Sequence, residues 1–114
     1  MPFDAQAVYR DGATAGNLTA SGNSSSIRMT YMKKPFRVVV VVPSVAGAGA
    51  TLDIAVQHSD DNTTFTNLRS FPQITAKGVY ELPVATEKPY TRLAFTVGGT
   101  SPNFGAVSAY MVPA

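Results

Sequence analysis

Between residues 51 and 71 the sequence TLDIAVQHSDDNTTFTNLRSF sets apolar residues at every second position and then breaks into a polar cluster. Leu52, Ile54 and Val56 alternate with Asp53, Ala55 and Gln57, the period of a strand with one dry face and one wetter face, and His58 continues the inward parity. Ser59, Asp60, Asp61 and Asn62 follow. Their short side chains hydrogen-bond their own backbone and tolerate left-handed geometry, so they predict a turn by mechanism. Phe65 and Leu68 come next with opposite parity. A returning strand that carries both needs either a bulge between them or cover on both faces, and the bulge is the expectation.

Phe36–Val42, FRVVVVV, is β-branched almost throughout and apolar on both parities. Val38, Val40 and Val42 are expected to face a core. Val39 and Val41 then form a second dry surface, to be covered by another subunit, another protein or a loop of the same chain. Pro43 ends this strand, and SVAGAGA reads as a pliable connection into the next. Residues 6–9 predict a short strand closed by Asp11 and Gly12, and Ile27, Met29 and Tyr31 alternate with Arg28 and Thr30 as another. Residues 79–82, between Gly78 and Pro83, are restricted to an edge or a short pairing. In 91–97, Leu93, Phe95 and Val97 point one way and Arg92, Ala94 and Thr96 the other. Gly98, Gly99, Ser101, Pro102 and Asn103 read as a turn, and residues 106–112 as the last strand.

No helical period is sustained anywhere. About eight punctuated strands in one small domain predict an all-β fold, an antiparallel β-sandwich or jelly roll. Residues 12–26, GATAGNLTASGNSSS, are small and polar apart from Leu18. They predict a flexible N-terminal arm or loop-rich segment over residues 1–26, ahead of a sandwich domain over 27–114.

Composition sharpens the question of the second dry face. The chain of 114 residues suits one domain, yet only 14% are charged against 45% hydrophobic, where an average soluble domain has roughly 25% charged. Cover by partners or by copies of itself explains that deficit; a β-domain rich in Thr, Ser and Asn is the alternative. The net charge is +2, and of the nine basic residues only Lys33, Lys34 and Arg37 lie close together, too sparse for a phosphate-binding groove. No nucleic-acid partner is expected. With no cysteine there is neither a disulfide frame nor a thiolate metal site. The start, MPFDAQAVYRDG, lacks a basic region followed by an apolar core, so no secretory signal is expected. The longest apolar region, 36–52, is broken by Arg37 and Pro43 and falls short of the roughly 20 residues of a membrane span, so a soluble protein is the expectation.

Candidate chemistry is sparse. His58 is the only histidine, and adjacent strand residues point to opposite faces, so the run His58, Ser59, Asp60 makes no catalytic triad. Asp60, Asp61 and Asn62 are hard oxygen ligands in one turn, which leaves calcium open there, but the spacing and glycine of an EF-hand loop are absent. Asp4, Asp11, Asp53, Glu81 and Glu87 show no context that would raise a carboxyl pKa for acid–base work. The Asn-x-Ser/Thr sites at Asn17, Asn23 and Asn62 carry little weight without a secretory route. The expectation is no enzyme, no catalytic residue, no metal and no cofactor.

The segments LDIAVQHSDDNTTFTNLRSFPQI and KPYTRLAFTVGGTSPNFGAVSAYMV, within residues 51–112, resemble the jelly-roll cement or decoration proteins of tailed bacteriophage capsids. The shared features are a strand of the form L-D-x-x-V-Q, an S-x-D-x-x-x-F/W-x-x-L turn, a Y-x-R-L strand and a T-G-T-S-P-x-F-G hairpin, which this chain carries as GGTSPNFG. The V-Q-x-S-D-D-x-x-x-F run is also similar to discoidin-like surface-binding modules. The phage resemblance implies a structural virion protein that binds the major capsid protein from outside and holds the lattice. It also implies a homo-oligomer, a trimer favoured, made in the bacterial cytoplasm and residing on the capsid surface. A neck or tail adaptor of the same fold, or a carbohydrate-binding β-sandwich using Tyr9, Tyr31, Tyr80, Tyr90 or Tyr110, are the alternatives. Val39, Val41, Phe3 and Leu18 are the candidate interface residues.

Overall fold

A computed structural model of the chain describes residues 8–28, 36–86 and 88–113. Its elements are β1 (Val8–Arg10), α1 (Gly12–Ala15), β2 (Gly22–Asn23), β3 (Ile27–Arg28), β4 (Phe36–Val42), β5 (Ala46–Ser59), β6 (Thr66–Ser70), β7 (Gly78–Val84), β8 (Tyr90–Asn103) and β9 (Ser108–Pro113). The strands form two antiparallel sheets. The first has the order β1-β9-β4-β7 and the second β2-β8-β5-β6, with β3 also on β8.

That order defines the fold more narrowly than strand content does. β2 and β3 pair with consecutive stretches of β8, at Phe95/Ala94 and Thr91/Tyr90. Between them Ser24 keeps the ladder going: its N–H donates to Leu93 O, and its Oγ accepts from Leu93 N–H, both at 2.8 Å. Taken as one interrupted strand, they leave eight. The sheets then read first-eighth-third-sixth and second-seventh-fourth-fifth, the jelly-roll order of two Greek keys rolled together.

The core lies between the inward faces. From the first sheet come Phe36, Val38, Val40, Val42, Leu82, Val84 and Ala109; from the second come Ile27, Leu52, Ile54, Val56, Leu93 and Phe95. Connections close the rims with Leu18, Phe71, Ile74, Phe104 and Val107, the last three among the most deeply buried residues. The alternations predicted for β5 and β8 are those observed. The expected bulge is present as well. Val56 pairs with Arg69 and Gln57 with Asn67, so Leu68 is the extra residue; it packs on the core while Phe65 stays on the outer surface.

Three features depart from the sequence reading. Most of the expected connection at 44–50, from Ala46 on, and the expected turn at 98–103 are instead strand: β5 and β8 continue as a paired ribbon from Ala46/Asn103, with irregular register at Ala46, Ala48 and Thr51. Glycine makes this possible. Gly99 has φ +105°, and a Cβ there would sit 2.8 Å from Ala50 Cα, so the two backbones approach where only hydrogen fits. A four-residue helix, α1, occurs where none was expected; Asp11 caps it by accepting from Ala13 N–H at 3.0 Å. Finally, the stretch expected as an arm, where described, belongs to the sandwich. β1 lies on β9, β2 on β8, and Tyr9 and Leu18 enter the core, so the described packing shows no boundary at residue 26. Met29 and Tyr31 of the strand expected after residues 6–9, and Phe3, lie outside the described residues.

Candidate functional site

The hairpin turn after β5 consumes its own polar groups. Ser59, 1% exposed, accepts from Asp61 N–H and Asn62 N–H at 3.2 and 3.0 Å and donates to Asp61 Oδ1 at 2.9 Å. The same Oδ1 accepts from Thr63 and Thr64 N–H at 2.9 and 3.0 Å. The backbone N–H groups of Thr64 and Thr63, and then the Ser59 hydroxyl, hold the Asp61 carboxyl down at about 2. Asn62 takes the left-handed conformation expected of it, φ 60°. Asp61 therefore serves as the turn's internal anchor, and Asp60 turns to Lys88 Nζ at 3.6 Å. Among the described residues no cluster of three His, Cys, Asp or Glu side chains is placed to hold a metal.

His58 faces away from this network. Its Nδ1 lies 2.7 Å from Thr86 Oγ1, which accepts from Lys88 N–H and so has its own proton to offer the ring. That arrangement suits a neutral imidazole with its hydrogen on Nε2. Burial first, and Lys88 second, push the His58 pKa below its ordinary value, against an upward pull from Asp60. Ser59 is hydrogen-bonded to Asp61 rather than to His58, so the residues adjacent in sequence are not assembled for nucleophilic attack.

The outward face of the first sheet is where Val39 and Val41 stand. Because directly paired residues share a face, register defines its rows. Val79, Val41 and Ser108 form one; Glu81, Val39, Tyr110 and Val8 the next; Pro83, Arg37 and Val112 the third. Val79 is 62% exposed, while Val41, Tyr110, Val8 and Val112 are partly buried. Val39 is only 7% exposed although it lies outside the core cluster, so little of it is open to a partner. Arg37 Nη1 donates to Glu81 Oε1 at 3.0 Å, an exposed ion pair at one corner. Leu18, proposed from sequence for an interface, is instead a core residue, 6% exposed, with its backbone bonded to Phe104 and Gly105.

The second sheet's outward face is polar and tied together. Arg92 lies 4.0 Å over the Phe65 ring and donates from Nε to Gln57 Oε1 at 2.8 Å, and Gln57 Nε2 donates to Asn67 Oδ1 at 2.9 Å. Beyond an intervening Ala55/Ala94 pair, Gln73 reaches Asp53. Of the tyrosines proposed for sugar stacking, Tyr9 is in the core; Tyr80, Tyr90 and Tyr110 are partly buried. Sequence reasoning missed the Arg92–Phe65 contact because it spans a hairpin turn and a neighbouring strand.

The two seams between the sheets differ. On one side Arg69 Nη1 donates to Pro83 O at 2.6 Å and ties β6 to β7. On the other a groove of about 580 Å³ opens between β1 and β2, with Tyr9, Leu18 and Phe95 among its lining and Thr14, Asn23 and Ser25 at its polar positions. No described helix is long and apolar enough to cross a membrane. No family model matches the chain, and no curated protein matches its sequence.

Proposed function

We propose that this jelly-roll protein is a structural component of a bacteriophage particle, seated on the outside of the capsid lattice and stabilising it by surface burial without chemistry. The observation that carries the reading is the outward face of the first sheet. Across four strands it presents valines, a proline, a tyrosine and a serine, with one mutually neutralised ion pair, where a sheet left in water normally alternates to more polar residues. The low charge of the whole chain and the resemblance of residues 51–112 to capsid-cementing proteins support the same reading. Cementing needs only apolar area, each square ångström contributing roughly 25 cal/mol.

Co-sedimentation with expanded tailed-phage shells tests it. The protein is expected to pellet with shells, and Val79→Lys or Val41→Lys to reduce pelleting by about tenfold or more without lowering the unfolding midpoint comparably. A protein that stays in the supernatant at every concentration overturns the reading. A carbohydrate-binding role is favoured by a different observation, the Phe65, Arg92, Gln57 and Asn67 row on the second sheet. Micromolar hits on a glycan array that disappear with Arg92→Ala would establish that role in its place.

A further inference from the structure

We infer that the groove between β1 and β2 binds a small monocarboxylic acid, with the carboxylate held by Arg10 and a short apolar body laid along the groove. The site lies at a seam between the sheets, apart from both outward faces, and so goes beyond the capsid reading without resting on it. Three observations lead to it.

The first is the way Arg10 is aimed. Val8 pairs with Tyr110 but Arg10 pairs with Ala109, so the register slips by one residue between them. Ala109 and Tyr110 are neighbours on β9 and project to opposite sides: Ala109 belongs to the core cluster, and Tyr110 stands beside Val39 on the outward face. Directly paired residues share a side. Val8 therefore faces out, while the slip turns Arg10 to the inner side, where Tyr9 already points. Strict alternation would have left Arg10 outward with Val8. An irregularity of this kind gives up regular pairing and re-aims a side chain.

The second is that the re-aimed guanidinium is partly buried and lacks a counter-charge. Its Nη1 donates to Val107 O at 2.7 Å, and among the described residues Arg10 has no other hydrogen bond from its side chain and no ion pair. Burial pushes its pKa below the ordinary arginine value, with no carboxylate acting against that shift. Asp11 lines the same groove, but its carboxylate caps α1, accepting from Ala13 N–H at 3.0 Å and from the Thr14 hydroxyl at 3.3 Å. The remaining donors of the Arg10 guanidinium form a planar fork that matches the two oxygens of a carboxylate.

The third is the make-up of the groove. Its volume of about 580 Å³ falls within the roughly 300 to 1,000 Å³ of small-molecule sites. Val8, Ala15, Ala20 and Phe95 supply apolar lining, and Asn23 and Ser25 supply polar groups. Arg10 and Asp11 are the charged residues of the described lining, so their formal charges cancel. A phosphate or a dicarboxylate would bring two negative charges to one guanidinium with Asp11 nearby, whereas a monocarboxylate brings one. At the opposite seam the arginine is used differently: Arg69 donates to Pro83 O and ties β6 to β7.

Titration of the full chain with sodium butyrate at constant ionic strength, followed by proton–nitrogen correlation spectra, tests the inference. Saturable shifts are expected at Arg10, its side-chain Nε–H included, and at Thr14, Ser25 and Phe95, with a Kd between about 0.1 and 10 mM. Butyramide, of the same shape without the charge, should bind about tenfold or more weakly, and so should inorganic phosphate. Arg10→Lys keeps the charge but loses the fork and should weaken butyrate about fivefold; Arg10→Gln should abolish saturation. Should Arg10→Gln fold poorly, Asn23→Asp serves in its place. That position is exposed, and a second carboxylate beside the groove should weaken butyrate about fivefold or more. Each of four results would overturn the site: no saturation up to about 50 mM, butyramide binding as well as butyrate, binding indifferent to both Arg10→Lys and Asn23→Asp, or shifts centred on Arg28 or Arg92 in place of Arg10. None of these bears on pelleting with shells, so the capsid reading is tested separately.

Discussion

The phenol oxygen of Tyr9 and the hydroxyl of Thr91 meet at 2.8 Å, 82 residues apart in sequence, and join the first sheet to the second across the core. Burial drives the Tyr9 pKa up to about 12, the Thr91 contact pulling slightly the other way. Tyr9→Phe keeps the ring and removes the bond, so it should cost about 1 kcal/mol, read as a lower urea midpoint at unchanged slope. Spectrophotometric titration of the variant should lose its highest-pKa phenol. An unchanged midpoint would mean that water replaces the bond at no cost.

Leu18 offers a direct comparison of arm and core. With 6% of its surface exposed and its backbone bonded on both sides to the 104–105 turn, Leu18→Ala should destabilise the fold by about 2 to 4 kcal/mol. A residue on a free arm would change stability by less than about 0.5 kcal/mol. Chemical denaturation separates the two outcomes.

The pH dependence of stability should carry a His58 signature. Its folded pKa lies below the ordinary 6.5, so the unfolded chain binds the proton more readily. The contribution is fully present above pH 6.5 and is lost as pH falls through the folded value. Lys88 and Asp60 are the charged groups that act on the ring, with opposite signs. Asp61, held at about 2, loses its own contribution only at far lower pH and does not confuse this window. His58→Gln should flatten the stability profile just below pH 6.5, measured by urea midpoints across pH. A wild-type profile already flat there would contradict the assignment.

Much of the architecture is legible in residue order because alternation is a local property. Leu52, Ile54 and Val56, or Leu93, Phe95 and Val97, can face one core only as strands, and the parity clash between Phe65 and Leu68 forces an extra residue into β6. The Ser59 to Asn62 turn is equally local, since its bonds span three residues or fewer. Glycine-rich stretches misled for the same reason. A glycine signals conformational freedom, and nothing within 44–50 or 98–103 reveals that each will become the other's partner.

The candidate surfaces were only half legible. The sequence shows that Val39 and Val41 have no place on the core side of β4, but not that Val39 is already buried, that Arg37 pairs with Glu81, or that Leu18 is drawn inside. By itself the sequence determined an all-β chain, the inward face of each long strand and the conformation of its tightest turn, because these depend on side-chain period and on bonds between near neighbours. Only the tertiary structure decided the jelly-roll order, the burial of Leu18, the two-sheet bond of Tyr9 and the composition of the outward faces. Those follow from which distant strands pair and in what register, a choice settled by the joint packing of the two sheets.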